Sequence, residues 1–79
     1  MIAPEKLRDI LLAGLPGATV EVSDLTGTQD HFQAVIVAPQ FRGKSRIQQH
    51  QLVYGVLGDR MKQEIHALAL TTREPENQS

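Results

Sequence analysis

Residues 41–54 read Phe41-Arg42-Gly43-Lys44-Ser45-Arg46-Ile47-Gln48-Gln49-His50-Gln51-Leu52-Val53-Tyr54. Pro39 stands just before this stretch and ends the segment leading into it, because proline offers no N–H to a ladder. Ser45 with Gln48 three residues on is the capping-box pattern. The serine hydroxyl accepts an early helical N–H while the glutamine side chain reaches back to the serine N–H. A helix over about 46–62 is predicted, with an inward stripe of Ile47, His50, Tyr54, Leu57 and Met61, widened by Val53 and Val56. Gly55 and Gly58 each weaken that helix by about 1 kcal/mol relative to alanine. A break there, giving two helices and a turn, competes with close packing of the glycines on a sheet.

Working outward, residues 19–25 alternate Val20 and Val22 with Thr19, Glu21 and Ser23, the half-buried strand pattern. A polar turn with Gly27 follows, and then a second strand over about 31–38 with Phe32, Ala34 and Ile36 on one face. The two make a hairpin. Upstream, Pro4 and Glu5 suit a first helical turn, and Leu7, Ile10 and Leu11 form one stripe. Gly14 reads as the residue after a helix over about 4–13, and Pro16 forbids its continuation. Downstream, a strand over about 64–72 alternates Ile65, Ala67 and Ala69 with His66, Leu68 and Leu70. The order helix, strand, strand, helix, strand defines an α+β domain with a three-stranded sheet covered on one face. Residues 1–73 form one domain, and 74–79 a flexible polar tail.

Seventy-nine residues suffice for one domain and exclude barrel enzymes and full doubly wound nucleotide folds. Cysteine is absent, so neither a disulfide nor a thiolate is available. No apolar run reaches 18 residues, and charges at Glu5, Lys6, Arg8 and Asp9 break up any signal-peptide core. A cytoplasmic protein with no membrane partner is expected. The net charge is −1, yet it is unevenly spread. Residues 31–63 set Arg42, Lys44, Arg46, Arg60 and Lys62 against Asp59, a net of +4, inside an otherwise acidic chain. The ordinary reading of such a segment is a solvated helix face and loop.

Two motifs are decoys. Residues 38–45 fit a relaxed phosphate-loop pattern, but Pro39 removes a donor and Ala38 replaces the first glycine. Weak contact with an anion at the capped helix start is the remaining option. Gly55-Val56-Leu57-Gly58 matches a G-x-x-G loop formally, but its middle residues are apolar and suit a core. Asp24 and Asp30 flank a loop with nothing to orient them as an acid–base pair, and no constellation suggests catalysis. His31, His50 and His66 each have an ordinary structural reading: a surface histidine, a hydrogen-bonded helix histidine and a strand residue.

Three segments together resemble the BolA family. They are Asp30-His31-Phe32-Gln33, the 41–54 block with its F-x-G-x-S start and Gln49-His50-Gln51 centre, and Ile65-His66-Ala67-Leu68-Ala69-Leu70-Thr71-Thr72. The similarity covers about residues 5–73 and is nearest the compact bacterial and plastid branch. It implies a class II KH-like α-β-β-α-β fold with a short helical turn before the long helix. It also implies a non-enzymatic role, in one of two forms.

The first implied role is partnership with a monothiol glutaredoxin of the CGFS type, the heterodimer sharing a [2Fe-2S] cluster together with glutathione, in iron–sulfur homeostasis. The isolated chain then holds no cofactor. Without cysteine, imidazole is this chain's available donor, and nitrogen ligation raises a cluster's potential. His66 matches the family's histidine ligand at the start of the last strand. The family's second ligand falls at Thr28, a poor iron donor; either His31, the ligand-type side chain nearby, substitutes, or glutathione or water completes the site. The second implied role is a DNA-binding transcriptional regulator of stress genes. It would use Arg42, Gly43, Lys44, Ser45, Arg46 and His50 near the helix start, and Arg60 and Lys62 near its end. A helix-turn-helix split at Gly55 or Gly58 would help it enter a groove. The same basic face would alternatively receive the glutaredoxin, and a weak homodimer is the remaining association.

Overall fold

The computed structural model describes residues 2–27, 31–59 and 67–76. In chain order these form helix α1 (Pro4–Gly14), strands β1 (Thr19–Asp24) and β2 (His31–Val37), a 3-10 turn (Pro39–Phe41), helix α2 (Arg46–Leu57) and strand β3 (Ala67–Arg73). β1 and β2 pair antiparallel, from Thr19↔Val37 to Asp24↔Phe32. β3 joins β2 in parallel, from His31↔Ala67 to Val37↔Arg73. The order β1-β2-β3 makes β2 the central strand. A parallel neighbour requires a crossover, and the 3-10 turn and α2 lie within it.

The period of two along the strands separates a dry face from an open one. Phe32, Ala34 and Ile36 of β2 are fully buried with Val20 of β1, while Leu68 and Leu70 of β3 pack at their margin. Leu7, Leu11 and Leu15 from the α1 segment and Val53 and Leu57 from α2 close over that face. The opposite face carries Thr19, Glu21, Gln33, Ala69 and Thr71, all exposed. Arg8 fastens α1 to β1, its Nε donating to the Val20 carbonyl at 3.3 Å. The α+β architecture, the hairpin and the one-sided helical layer are those expected. Among the described residues no helix is long and apolar enough to cross a membrane.

Four expectations need correction. The inward stripe of α2 is displaced from the predicted one: Ile47 is 70% exposed and Tyr54 40%, while Gln49, Val53, Val56 and Leu57 face inward. Ile47 lies about 100° around the helix from the Val53–Leu57 midline, outside the docked arc. Second, α2 runs unbroken through Gly55 and stops at Leu57, where the Gly58 N–H donates to the Tyr54 carbonyl at 2.9 Å. No helix-turn-helix split occurs at Gly55, and the stretch 60–62 lies outside the described residues. Third, Gly14 is the last residue of α1, not the one after it. A Cβ there would run into the Val56 side chain, so the glycine lets α1 and α2 approach. Fourth, the last strand extends to Arg73, beyond the predicted end at Thr72; residues 64–66 lie outside the described residues.

Candidate partner and cluster site

The basic loop is built on a buried anchor. Phe41 is fully buried, and its N–H donates to the Ala38 carbonyl at 3.1 Å. The chain then turns: the Arg42 N–H reaches the Pro39 carbonyl at 3.2 Å and the Lys44 N–H reaches the Phe41 carbonyl at 3.1 Å. Gly43 has φ +76° with open space where a Cβ would sit, so its requirement is conformational rather than steric. The predicted capping box is formed. The Gln48 N–H donates to Ser45 Oγ at 3.2 Å, and the Ser45 N–H donates to Gln48 Oε1 at 2.9 Å.

These contacts leave Arg42, Gly43, Lys44, Ser45 and Arg46 exposed together at the α2 N-terminus. The first turn of α2 carries no acidic residue. The helix dipole and three cationic side chains therefore add at one place, a setting that favours an anionic partner. His50, half-buried one turn beyond Arg46, continues this surface. Arg60 and Lys62 lie outside the described residues.

Gln49 was not singled out as a site residue, yet it holds this end of the molecule together. Its Nε2 donates to the Lys44 carbonyl at 3.0 Å and, at a longer 3.5 Å, to the Phe41 carbonyl. Its Oε1 accepts from Thr72 Oγ1 at 2.7 Å. One amide thus ties the basic loop to β3. The available signal was a polar residue sharing a helical face with Val53 and Val56.

His31 lies at the other end of β2. It is half-buried, its carbonyl accepts from the Leu25 N–H at 2.8 Å, and it stands in register with Ala67. The turn before it is organised by Asp24, whose Oδ1 accepts from the Thr26 and Gly27 N–H groups at 3.3 and 3.0 Å. His66 and Thr28 lie outside the described residues. Among the described residues no three His, Asp or Glu side chains gather to hold a metal. The length of β2 separates His31 from the basic loop by about 20 Å or more. The structure therefore does not merge His31 and the basic loop into one small-molecule site.

A three-stranded α+β domain with a capped basic helix start and a histidine at the far strand end defines a small binding module. The family model for BolA-like protein matches residues 16–77, and the chain belongs to that family. It is 35% identical over 71 residues to the Rickettsia prowazekii protein RP812, covering 90% of this chain and 92% of that one. It is 29% identical to the Escherichia coli DNA-binding transcriptional regulator BolA, over 91% of this chain and 75% of the relative. Two further relatives are matched over less than half of their own length. A solved BolA homologue from Coxiella burnetii superposes with a TM-score of 0.81 at 34% identity, covering 95% of this chain and 94% of that one. The curated relatives carry names of a transcriptional regulator and of BolA-like proteins, none of them an enzyme's.

Proposed function

We propose that this chain is the BolA-like partner of a monothiol glutaredoxin, and that it contributes histidine to a shared [2Fe-2S] cluster in iron–sulfur homeostasis. The observation that supports this reading is the half-buried His31 at the start of β2, the central strand, in a chain of the BolA family that carries no cysteine. His66, outside the described residues, is assigned by its match to the family's histidine at the start of the last strand. The donor set fits the group in kind: imidazole nitrogen is an accepted iron–sulfur ligand, and no cysteine competes for the place. His66 would supply one ligand and His31 the second, with the partner's cysteine and glutathione completing the set. When bound, the cluster supplies one-electron chemistry at a potential raised by nitrogen ligation. This chain's part is to present imidazole, with His31 at the start of β2.

The test is titration of the protein into cluster-loaded monothiol glutaredoxin, with visible circular dichroism and molar mass by light scattering. A one-to-one complex with a new spectrum is expected. His66→Ala should change that spectrum strongly and His31→Ala more weakly. A spectrum indifferent to both substitutions would remove histidine ligation.

A second reading, direct DNA binding, is supported by the clustering of Arg42, Lys44 and Arg46 at an acid-free helix N-terminus and by the name of the Escherichia coli relative. Its contacts would be to phosphates, with affinity falling steeply as salt rises. Replacing the three bases by alanine should weaken duplex binding and reduce the salt slope by up to about three. Undiminished binding by that variant would exclude the loop as the contact.

A further inference from the structure

β3 is the outer strand of the sheet, and among the described residues no strand pairs with its far edge. The Arg73 carbonyl accepts from the Ala38 N–H at 3.1 Å, on the β2 side. In a parallel ladder both backbone groups of a residue point the same way and successive residues alternate. Arg73 and Thr71 thus spend their backbone groups on β2, while Leu70 and Thr72 turn theirs to the open edge. Alongside that edge runs a groove of about 490 Å³ lined by Arg46, His50, Leu70, Thr71, Thr72 and Arg73. Two guanidinium groups and an imidazole line it, and among the described residues no carboxylate does.

We propose that this edge receives an extended acidic segment of a partner protein as a fourth strand. The free N–H and C=O groups of Leu70 and Thr72 supply the ladder, and the charged lining supplies the preference for acid. The side-chain requirement follows from the pleat. Thr72 Oγ1 bonds to Gln49 on the helical side, so the Thr71 and Arg73 side chains lie on the other face. Successive side chains of an added strand also alternate. One carboxylate then meets Arg46 and His50, and its immediate neighbour meets Arg73. The recognised feature is a pair of adjacent acidic residues in an extended, otherwise uncharged segment.

Nucleic acid fits this groove less well. Phe32 and Phe41 are fully buried, and among the described residues no Phe, Tyr or Trp ring lines the groove, which leaves the His50 imidazole as its one ring for stacking a base. The proposal uses the chain alone and does not depend on the cluster reading.

The experiment uses the full chain and a fluorescent, end-capped peptide of about eight residues, with two adjacent glutamates among valines and threonines. Polarisation should show salt-sensitive binding, and amide hydrogen exchange should slow at Leu70 and Thr72. Methylating the peptide's alternate nitrogens that face β3 should abolish binding although its charge is unchanged. Arg46→Glu combined with Arg73→Glu, both exposed in the free chain, should weaken binding about tenfold or more with the far-ultraviolet spectrum intact. Binding that ignores nitrogen methylation, absence of protection at Leu70 and Thr72, or no binding at all would overturn the proposal. Displacement of the peptide by a short oligonucleotide at lower concentration would reassign the groove to nucleic acid.

Discussion

Gln49 is a polar side chain on the inward arc of α2, where Val53 and Val56 are its neighbours one turn on and two turns on. Its amide uses both ends, donating to the Lys44 carbonyl and accepting from Thr72 Oγ1. Gln49→Met keeps the volume and removes all three side-chain bonds, leaving the Lys44 carbonyl and the Thr72 hydroxyl short of partners. The expected loss is about 1–3 kcal/mol, read from urea denaturation. A double-mutant cycle with Thr72→Val should show coupling of about 0.5 kcal/mol or more, and strict additivity would mean the bond contributes nothing. Ser45 and Gln48 were legible as a capping box because their partners lie within four residues. Gln49 was not, because Thr72 is 23 residues away.

At the scale of elements, α2 shows how an apolar pattern fails to locate a face. Seven apolar or half-polar positions offered more than one arc, and docking against β3 and α1 chose the one centred on Val53 and Leu57. Leu57→Ala should therefore cost about 2–5 kcal/mol, whereas Ile47→Ala should stay within about 0.5 kcal/mol of the parent in chemical denaturation. Equal losses would restore the predicted stripe. The glycines of the two helices separate in the same way. Gly55 has open space around it inside a helix, so Gly55→Ala should raise stability by about 0.5–1 kcal/mol. Gly14 faces Val56, so Gly14→Ala should lower it by about 1–3 kcal/mol. Thermal melting of the two variants distinguishes their signs.

For the whole molecule, the decisive feature is the parallel pairing of β2 with β3. It sets His31 opposite Ala67 at one end of the sheet, and Thr72 against Gln49 beside the basic loop at the other. A small ligand does not span that separation, while a protein surface of ordinary interface size covers both ends. Changes at the two ends share no partners and should act independently. Arg42→Ala with Lys44→Ala and Arg46→Ala should leave the cluster spectrum of a glutaredoxin complex unchanged. His31→Ala should leave the salt slope of any DNA binding unchanged. Cross-effects in either measurement would mean that one continuous site serves both.

The α+β class, the hairpin, the capped helix start and the exposed basic loop were legible in the sequence. Each rests on interactions between residues close along the chain: a two-residue pleat, a cap across three residues, a proline that stops a strand. Family membership was legible for a related reason, since its motifs are local strings in a set order. The strand order, the inward arc of α2, the close approach of Gly14 to Val56 and the Gln49–Thr72 tie required the tertiary structure. They depend on which surfaces meet after the chain has closed over tens of residues. Many arcs and registers satisfy the same local pattern, and only the packing of the whole core selects among them.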